Sequence, residues 1–149
     1  MHKISLTSFA NNYGMTQISW DEYHQHYAST EKFIFQPGSS LAKNAAGEIV
    51  GFYYTLIDPA PAFMAANGDH TRLDWSLVQK DPLWVISSVG LSDKTRGKGL
   101  LEKLGNISMN SFLAAGLKHG VASLIKEGPS IFSDLTNQSR EYVVYSKPI

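Results

Sequence analysis

Cysteine is absent from this chain. That excludes disulfides, thiolate metal sites and a cysteine nucleophile, and a reducing cytosol is the default setting for a domain without such staples. An excess of either charge is absent too. Lys+Arg and Asp+Glu both number 13, and charged residues make up only 17%. No global field exists to attract nucleic acid or anionic lipid, so an anion site must be local. No apolar run approaches the ~20 residues of a membrane span. The opening MHKISLTSFANNYG has no apolar core followed by a small-residue cleavage site, so no signal peptide is expected. What is present is a globular composition over 149 residues, 43% hydrophobic and 11% aromatic. That is enough for one domain with a real core.

Several stretches announce elements. Residues 3–9 read as a short opening strand. Residues 19–29 read as a helix, because Ser19 and Glu22 have the S-x-x-E capping-box form. Residues 39–58 read as two strands around the turn Asn44 to Gly47, the second rich in β-branched and aromatic residues. Pro59 and Pro61 end that strand. Residues 62–72 read as a loop tightest at Asn67-Gly68, and Leu73, Trp75 and Leu77 suit either a strand or a helical turn.

The run 83–91, LWVISSVGL, suits a strand buried on both faces. A helix from about Gly99 to Leu117 follows. Leu100, Leu104 and Ile107 form its apolar stripe, Lys118 and His119 its last turn, and Gly120 its C′ residue. Strands at 121–125 and 141–147 flank a short helix at 130–135. A strand–helix–strand crossover implies two parallel strands, while the first half is an antiparallel hairpin. The class is α+β with a mixed sheet.

Between the buried strand and the long helix lies SDKTRGKGLLEKLG, 92–105. Lys94, Arg96 and Lys98 crowd around Gly97 and Gly99 in a chain otherwise poor in charge. The first turn of a helix has N–H groups without partners, and its dipole adds positive potential. Glycines let a ligand approach those groups. Arg96 and Lys98 add full charges, so the loop is built to hold a diphosphate without metal. A P-loop is excluded: position 92 is Ser where its first glycine belongs, and Gly99 follows Gly97-Lys98. A dinucleotide fingerprint is excluded because position 102 is Glu. The plain alternative is a solvent-facing turn with incidental lysines.

Arg96-Gly97-Lys98-Gly99-Leu100-Leu101 resembles R/Q-x-x-G-x-G/A, the acetyl-CoA loop of the GNAT superfamily of N-acetyltransferases. The strand before it, with Val89 and Leu91 at its apolar positions, resembles that family's fourth strand. The element order over roughly residues 30 to 147 fits as well. The resemblance implies a single domain over 1–149, with a mixed, mostly antiparallel sheet, a splayed parallel strand pair and flanking helices. It implies that backbone groups of Arg96, Gly97, Lys98, Gly99, Leu100 and Leu101 bind the CoA diphosphate. Val89, Gly90 and Leu91 would then hold the pantetheine arm. The acceptor would be an amine on a small molecule or a peptide, attacking acetyl-CoA directly, with no nucleic acid, membrane or metal involved. A homodimer through the closing strands is implied by analogy alone.

Three departures stand out. Position 101 is Leu where Gly or Ala is usual; a leucine fits if it points into the core. The segment KEGPSIFSDL offers Ser130, Phe132 and Ser133 but no tyrosine acid. The strand at 83–91 offers Ser87 and Ser88 but no carboxylate base. Candidates for catalysis are therefore Asp74, His70, Ser130 and Tyr145, each with an ordinary surface or core role as its rival. Gly90 fits either the cofactor or close packing. Those departures also motivate a second reading, a catalytically silent acyl-CoA-binding module. A third is a nucleotide or phosphate binder unrelated to CoA.

Overall fold

The computed structural model describes residues 1–12, 15–69 and 71–123. The expected end of the strand at 121–125, the helix at 130–135, the strand at 141–147, His70, Ser130 and Tyr145 lie outside them. Among the described residues, no helix is long and apolar enough to cross a membrane.

Two short helices come first, α1 (His2–Ser8) and α2 (Trp20–Ala28). The hairpin β1 (Ser40–Lys43) and β2 (Ile49–Ile57) follows, then α3 (Ala60–Ala65) and α4 (Ser76–Lys80). β3 (Leu83–Leu91), α5 (Leu100–Ala114) and β4 (His119–Ala122) complete the order. The sheet runs β1-β2-β3-β4. Its first two pairings are antiparallel and the last, β3 with β4, is parallel. This is the mixed α+β sheet expected.

β2 is the spine. Gly51 to Thr55 are all buried, so helices cover both of its faces. Tyr53 turns to one face, where it clusters with Trp84, Ile86, Leu91 and Leu104 of α5. Phe52 and Tyr54 turn to the other and meet Ile4 of α1. Side chains alternate across a strand, so three consecutive aromatics anchor two cores.

Burial pushes the Tyr53 phenol up to about 12. Tyr27, whose ring lies 5.6 Å from that of Tyr54, is also pushed up to about 12, by burial first and then by the neighbouring Tyr23 and Tyr54 phenols. A phenol with a folded pKa above its unfolded value of about 10 keeps its proton better in the fold. Its contribution is complete below pH ~10 and lost as pH rises towards 12. Thermal melts should therefore hold steady to about pH 10 and fall steeply above it, and Tyr53→Phe should soften the fall. An equal fall in the variant would show that Tyr53 does not drive it.

Four sequence expectations are corrected. Residues 3–9 form a helix rather than a strand, because a helix lays Ile4 into the Phe52–Tyr54 cluster. Packing overrides a weak alternating pattern. The segment 62–72 is not all loop: Asp58 Oδ1 accepts from Ala60 N at 2.9 Å, and Pro59 and Pro61 start α3. Proline ends a strand and pre-sets the first helical turn by the same fixed φ.

On α5, Ile107 is exposed, and the inward position below Leu104 belongs to Ser108. The Ser108 hydroxyl donates to Gly38 O at 2.6 Å, which satisfies a fully buried polar group. Finally, α5 stops at Ala114. Gly116 at φ 69 is the true C′ residue, with Leu117 N donating to Phe112 O and Gly116 N to Leu113 O. That is the Schellman arrangement. His119 and Gly120 therefore belong to β4 and not to the helix end.

Candidate functional site

Among the described residues β3 and β4 run together from Leu83↔His119 to Ile86↔Ala122. Ser123 N adds a bond to Ile86 O at 3.2 Å. Beyond that point Ser87 to Leu91 pair with β2 alone among the described residues. The same place carries a bulge. Tyr54 pairs with Ser88 and Thr55 with Ile86, so Ser87 is an extra residue in β3. A bulge leaves its extra residue out of the ladder and bends the strand. Ser87 is thus outside the ladder with β2 and pairs with no strand on its other side among the described residues.

Ser92 N donates to Val50 O at 2.9 Å, so Val50 and Ser92 form a hydrogen-bonded pair. Pairs alternate along an antiparallel ladder. Phe52↔Gly90 is then bonded, whereas Gly51↔Leu91 and Tyr53↔Val89 turn their peptide groups away. Val89 and Leu91 therefore turn their N–H and C=O groups to the side of β3 away from β2, where no strand pairs with them among the described residues.

The edge leads into the glycine loop, which is pinned to β2. The Thr95 hydroxyl contacts Val50 O at 3.1 Å and Ser92 O at 2.9 Å, and lies 3.0 Å from the Ser92 hydroxyl. Gly97 and Gly99 both sit at φ 71, a left-handed geometry that suits glycine. A Cβ built on either glycine would meet no atom within 4 Å. Conformation, not crowding, selects them, and the space above them is open.

Gly99 is the N-cap of α5, and no side chain caps that end. α2 has a full capping box from Ser19 and Glu22 at its own start, as the sequence predicts. The first-turn amides of α5 face outward beside exposed Arg96 and Lys98. Among the described residues Arg96 has one ion pair, to Asp93 at 3.5 Å, with both side chains at least half exposed. Such a pair is worth ~0–1 kcal/mol, so the guanidinium stays available. Lys94, Arg96 and Lys98 face two carboxylates, Asp93 and Glu102, so the local excess of charge is small. The bare amides must carry much of any anion binding. Leu101 packs against the Tyr53–Leu104 cluster, as its bulk requires.

Gly90 has a packing role. A Cβ there would lie 2.5 Å from Phe52 Cε1 and 3.3 Å from Ile4 Cγ2. Asp74 is exposed, and its Oδ1 accepts from Ser76 N at 3.0 Å and from the Ser76 hydroxyl at 2.7 Å. That carboxylate closes the turn into α4, before the start of β3, while the glycine loop follows its end. Nearby Trp75 packs on Phe33, with Lys32 Nζ 4.8 Å from the Trp75 ring centre. Residues the sequence reading missed are Ser92 and Thr95, which pin the loop, and Ser8, whose hydroxyl donates to Leu91 O at 2.9 Å. Ser92 and Thr95 had a signal in their S-x-x-T spacing before a glycine loop. Ser8 had none.

No family model and no curated protein sequence matches the chain. Solved structures do match. The chain is similar to the aminoglycoside acetyltransferase AAC(6')-Iy in complex with the bisubstrate analogue CoA-S-monomethyl-acetylneamine, at 12% identity and a TM-score of 0.58, over 99% of this chain and 88% of that one. It is similar to a ribosomal-protein-alanine N-acetyltransferase from Brucella melitensis biovar Abortus 2308, at 16% identity and a TM-score of 0.55, over 99% and 89%. It is also similar to glucosamine-6-phosphate N-acetyltransferase from Arabidopsis thaliana, at 12% identity and a TM-score of 0.54, over 97% and 89%. The fold is shared with these solved acetyltransferase structures.

Proposed function

We propose that this chain is an N-acetyltransferase that uses acetyl-CoA as its acyl donor. The observation that carries the reading is the continuity of one surface. A strand edge at Val89 and Leu91, paired with no further strand among the described residues, leads into the uncapped, glycine-opened start of α5. A ligand matched to that surface has an amide-bearing arm at one end and a diphosphate at the other, which describes CoA. The solved neighbours are named for N-acetylation of an aminoglycoside, ribosomal-protein alanine and glucosamine 6-phosphate, and one holds a CoA-based bisubstrate analogue. Alignment over 97% or more of the chain in each case supports one domain across 1–149.

In this reading, amides and cations of Arg96 to Leu101 hold the diphosphate, and Val89 and Leu91 hold the arm through their outward peptide groups. The thioester then falls near Ser87. The unladdered Ser87 peptide is placed to stabilise charge growing on the carbonyl oxygen. Most of the rate gain comes from holding the amine against the acyl carbon. The amine nitrogen bonds to that carbon, the C–S bond breaks, and the thiolate takes up a proton. β3 carries no carboxylate, so water relays the ammonium proton to solvent.

The absence of cysteine makes the test clean, because a thiol reagent reports only released CoA. With acetyl-CoA and a panel of primary amines spanning sugars, small amines and peptides, thiol should appear only when an accepted amine is present. Tight acetyl-CoA binding with no thiol for any amine would favour the silent binding module instead. Equal thermal stabilisation by ATP and by acetyl-CoA would favour a general phosphate binder.

A further inference from the structure

The Leu91 carbonyl lies on the edge assigned above to the pantetheine arm, yet it already has a donor. The Ser8 hydroxyl reaches it at 2.9 Å across 83 residues of sequence. From this contact we propose that α1 is an autoinhibitory plug: its Ser8 hydroxyl stands where an amide N–H of the arm would donate. The proposal rests on the acetyl-CoA reading, since it concerns the same edge.

The construction of α1 suits an element whose last turn can shift. It spans only seven residues and has no side-chain N-cap, no acid in its first turn and no base in its last. Helices this short are not stable on their own. α2, with its reciprocal capping box, has what α1 lacks. The start of α1 is held through His2, whose ring lies 4.9 Å from that of Tyr23 in α2 and whose Nε2 is 2.9 Å from Ile18 O, and two attachments join the helix to β3. One is Ile4, packed at Gly90 beside Phe52. The other is the Ser8 bond. The first anchors the middle of the helix to a face of the sheet, and the second ties its last residue to the edge. Loss of the second frees the end nearest the loop without dismantling the core. When the arm arrives, its amide takes the Leu91 carbonyl and Ser8 turns to water.

Calorimetric titration with acetyl-CoA tests this on the full chain, comparing the native protein, Ser8→Ala and Ser8→Thr. Removing a competing hydrogen bond should tighten binding by about threefold to tenfold in Ser8→Ala. Ser8→Thr keeps the hydroxyl and should bind like the native chain. In the native protein, amides of α1 should exchange with deuterium faster at saturating acetyl-CoA. Unchanged or weaker binding in Ser8→Ala overturns the plug and leaves the acetyl-CoA reading standing. So does a Thr variant that binds as tightly as the Ala variant. No binding by any of the three overturns both.

Discussion

Gly99→Glu should lose acetyl-CoA binding by more than ~100-fold while the fold survives. Gly99 sits at φ 71 with nothing within 4 Å of a built Cβ, so the new side chain meets no wall. The backbone conformation costs a non-glycine residue ~1–2 kcal/mol, a loss that a single domain normally tolerates. The carboxylate, however, projects from the N-cap of α5 beside the amides assigned to the diphosphate. Loss of two charge-assisted bonds at ~1.5–3 kcal/mol each exceeds a hundredfold in affinity. Gly99→Ala is the control. It carries the same backbone strain without bulk or charge, and it should stay within about tenfold of the native affinity. If Glu and Ala weaken binding equally, strain explains the effect and the diphosphate does not lie there.

The second large effect separates packing from ligand binding at Gly90. A Cβ at this position would lie 2.5 Å from Phe52 Cε1 and 2.8 Å from Cζ, and Phe52 is only 1% exposed. The ring cannot retreat, so Gly90→Ala should cost ~1–3 kcal/mol. Phe52→Ala removes a buried ring and should cost ~3–5 kcal/mol. The two changes share one volume, so the double variant should be more stable than their sum by ~1 kcal/mol or more. Denaturant melts read all three. Strict additivity would mean that the Gly90–Phe52 contact does not set the cost. An undisturbed melt for Gly90→Ala with lost acetyl-CoA binding would return Gly90 to the ligand.

The elements legible in the sequence are those whose signals are local. LWVISSVGL is long and apolar enough to be a buried strand, and the glycine loop ends it. Ser19 and Glu22 announce α2 within four residues, and both halves of the capping box are present. Strand alternation puts neighbours on opposite faces, and Tyr53 and Tyr54 sit in separate clusters. The failures have one physical cause: the deciding contact was distant. α1 reads as a strand until Phe52 and Gly90 supply the seat for Ile4. Ile107 fits the helical period of α5, but Gly38 needs a donor, so Ser108 took the inward position. The bulge at Ser87 depends on register against β2, and no run of β3 residues encodes it. The glycine turn into α5 was legible from composition. Its attachment through Thr95 to Val50 was not.

The amides themselves give the most direct test of the central claim. An isotope-labelled sample followed through its backbone N–H resonances should show Gly97, Gly99, Leu100 and Leu101 moving strongly as acetyl-CoA is added. S-acetylpantetheine, which lacks the diphosphate, should leave those four in place while moving Val89 and Leu91. Acetyl-CoA that binds without disturbing the four, or that moves no resonance at all, would contradict the account.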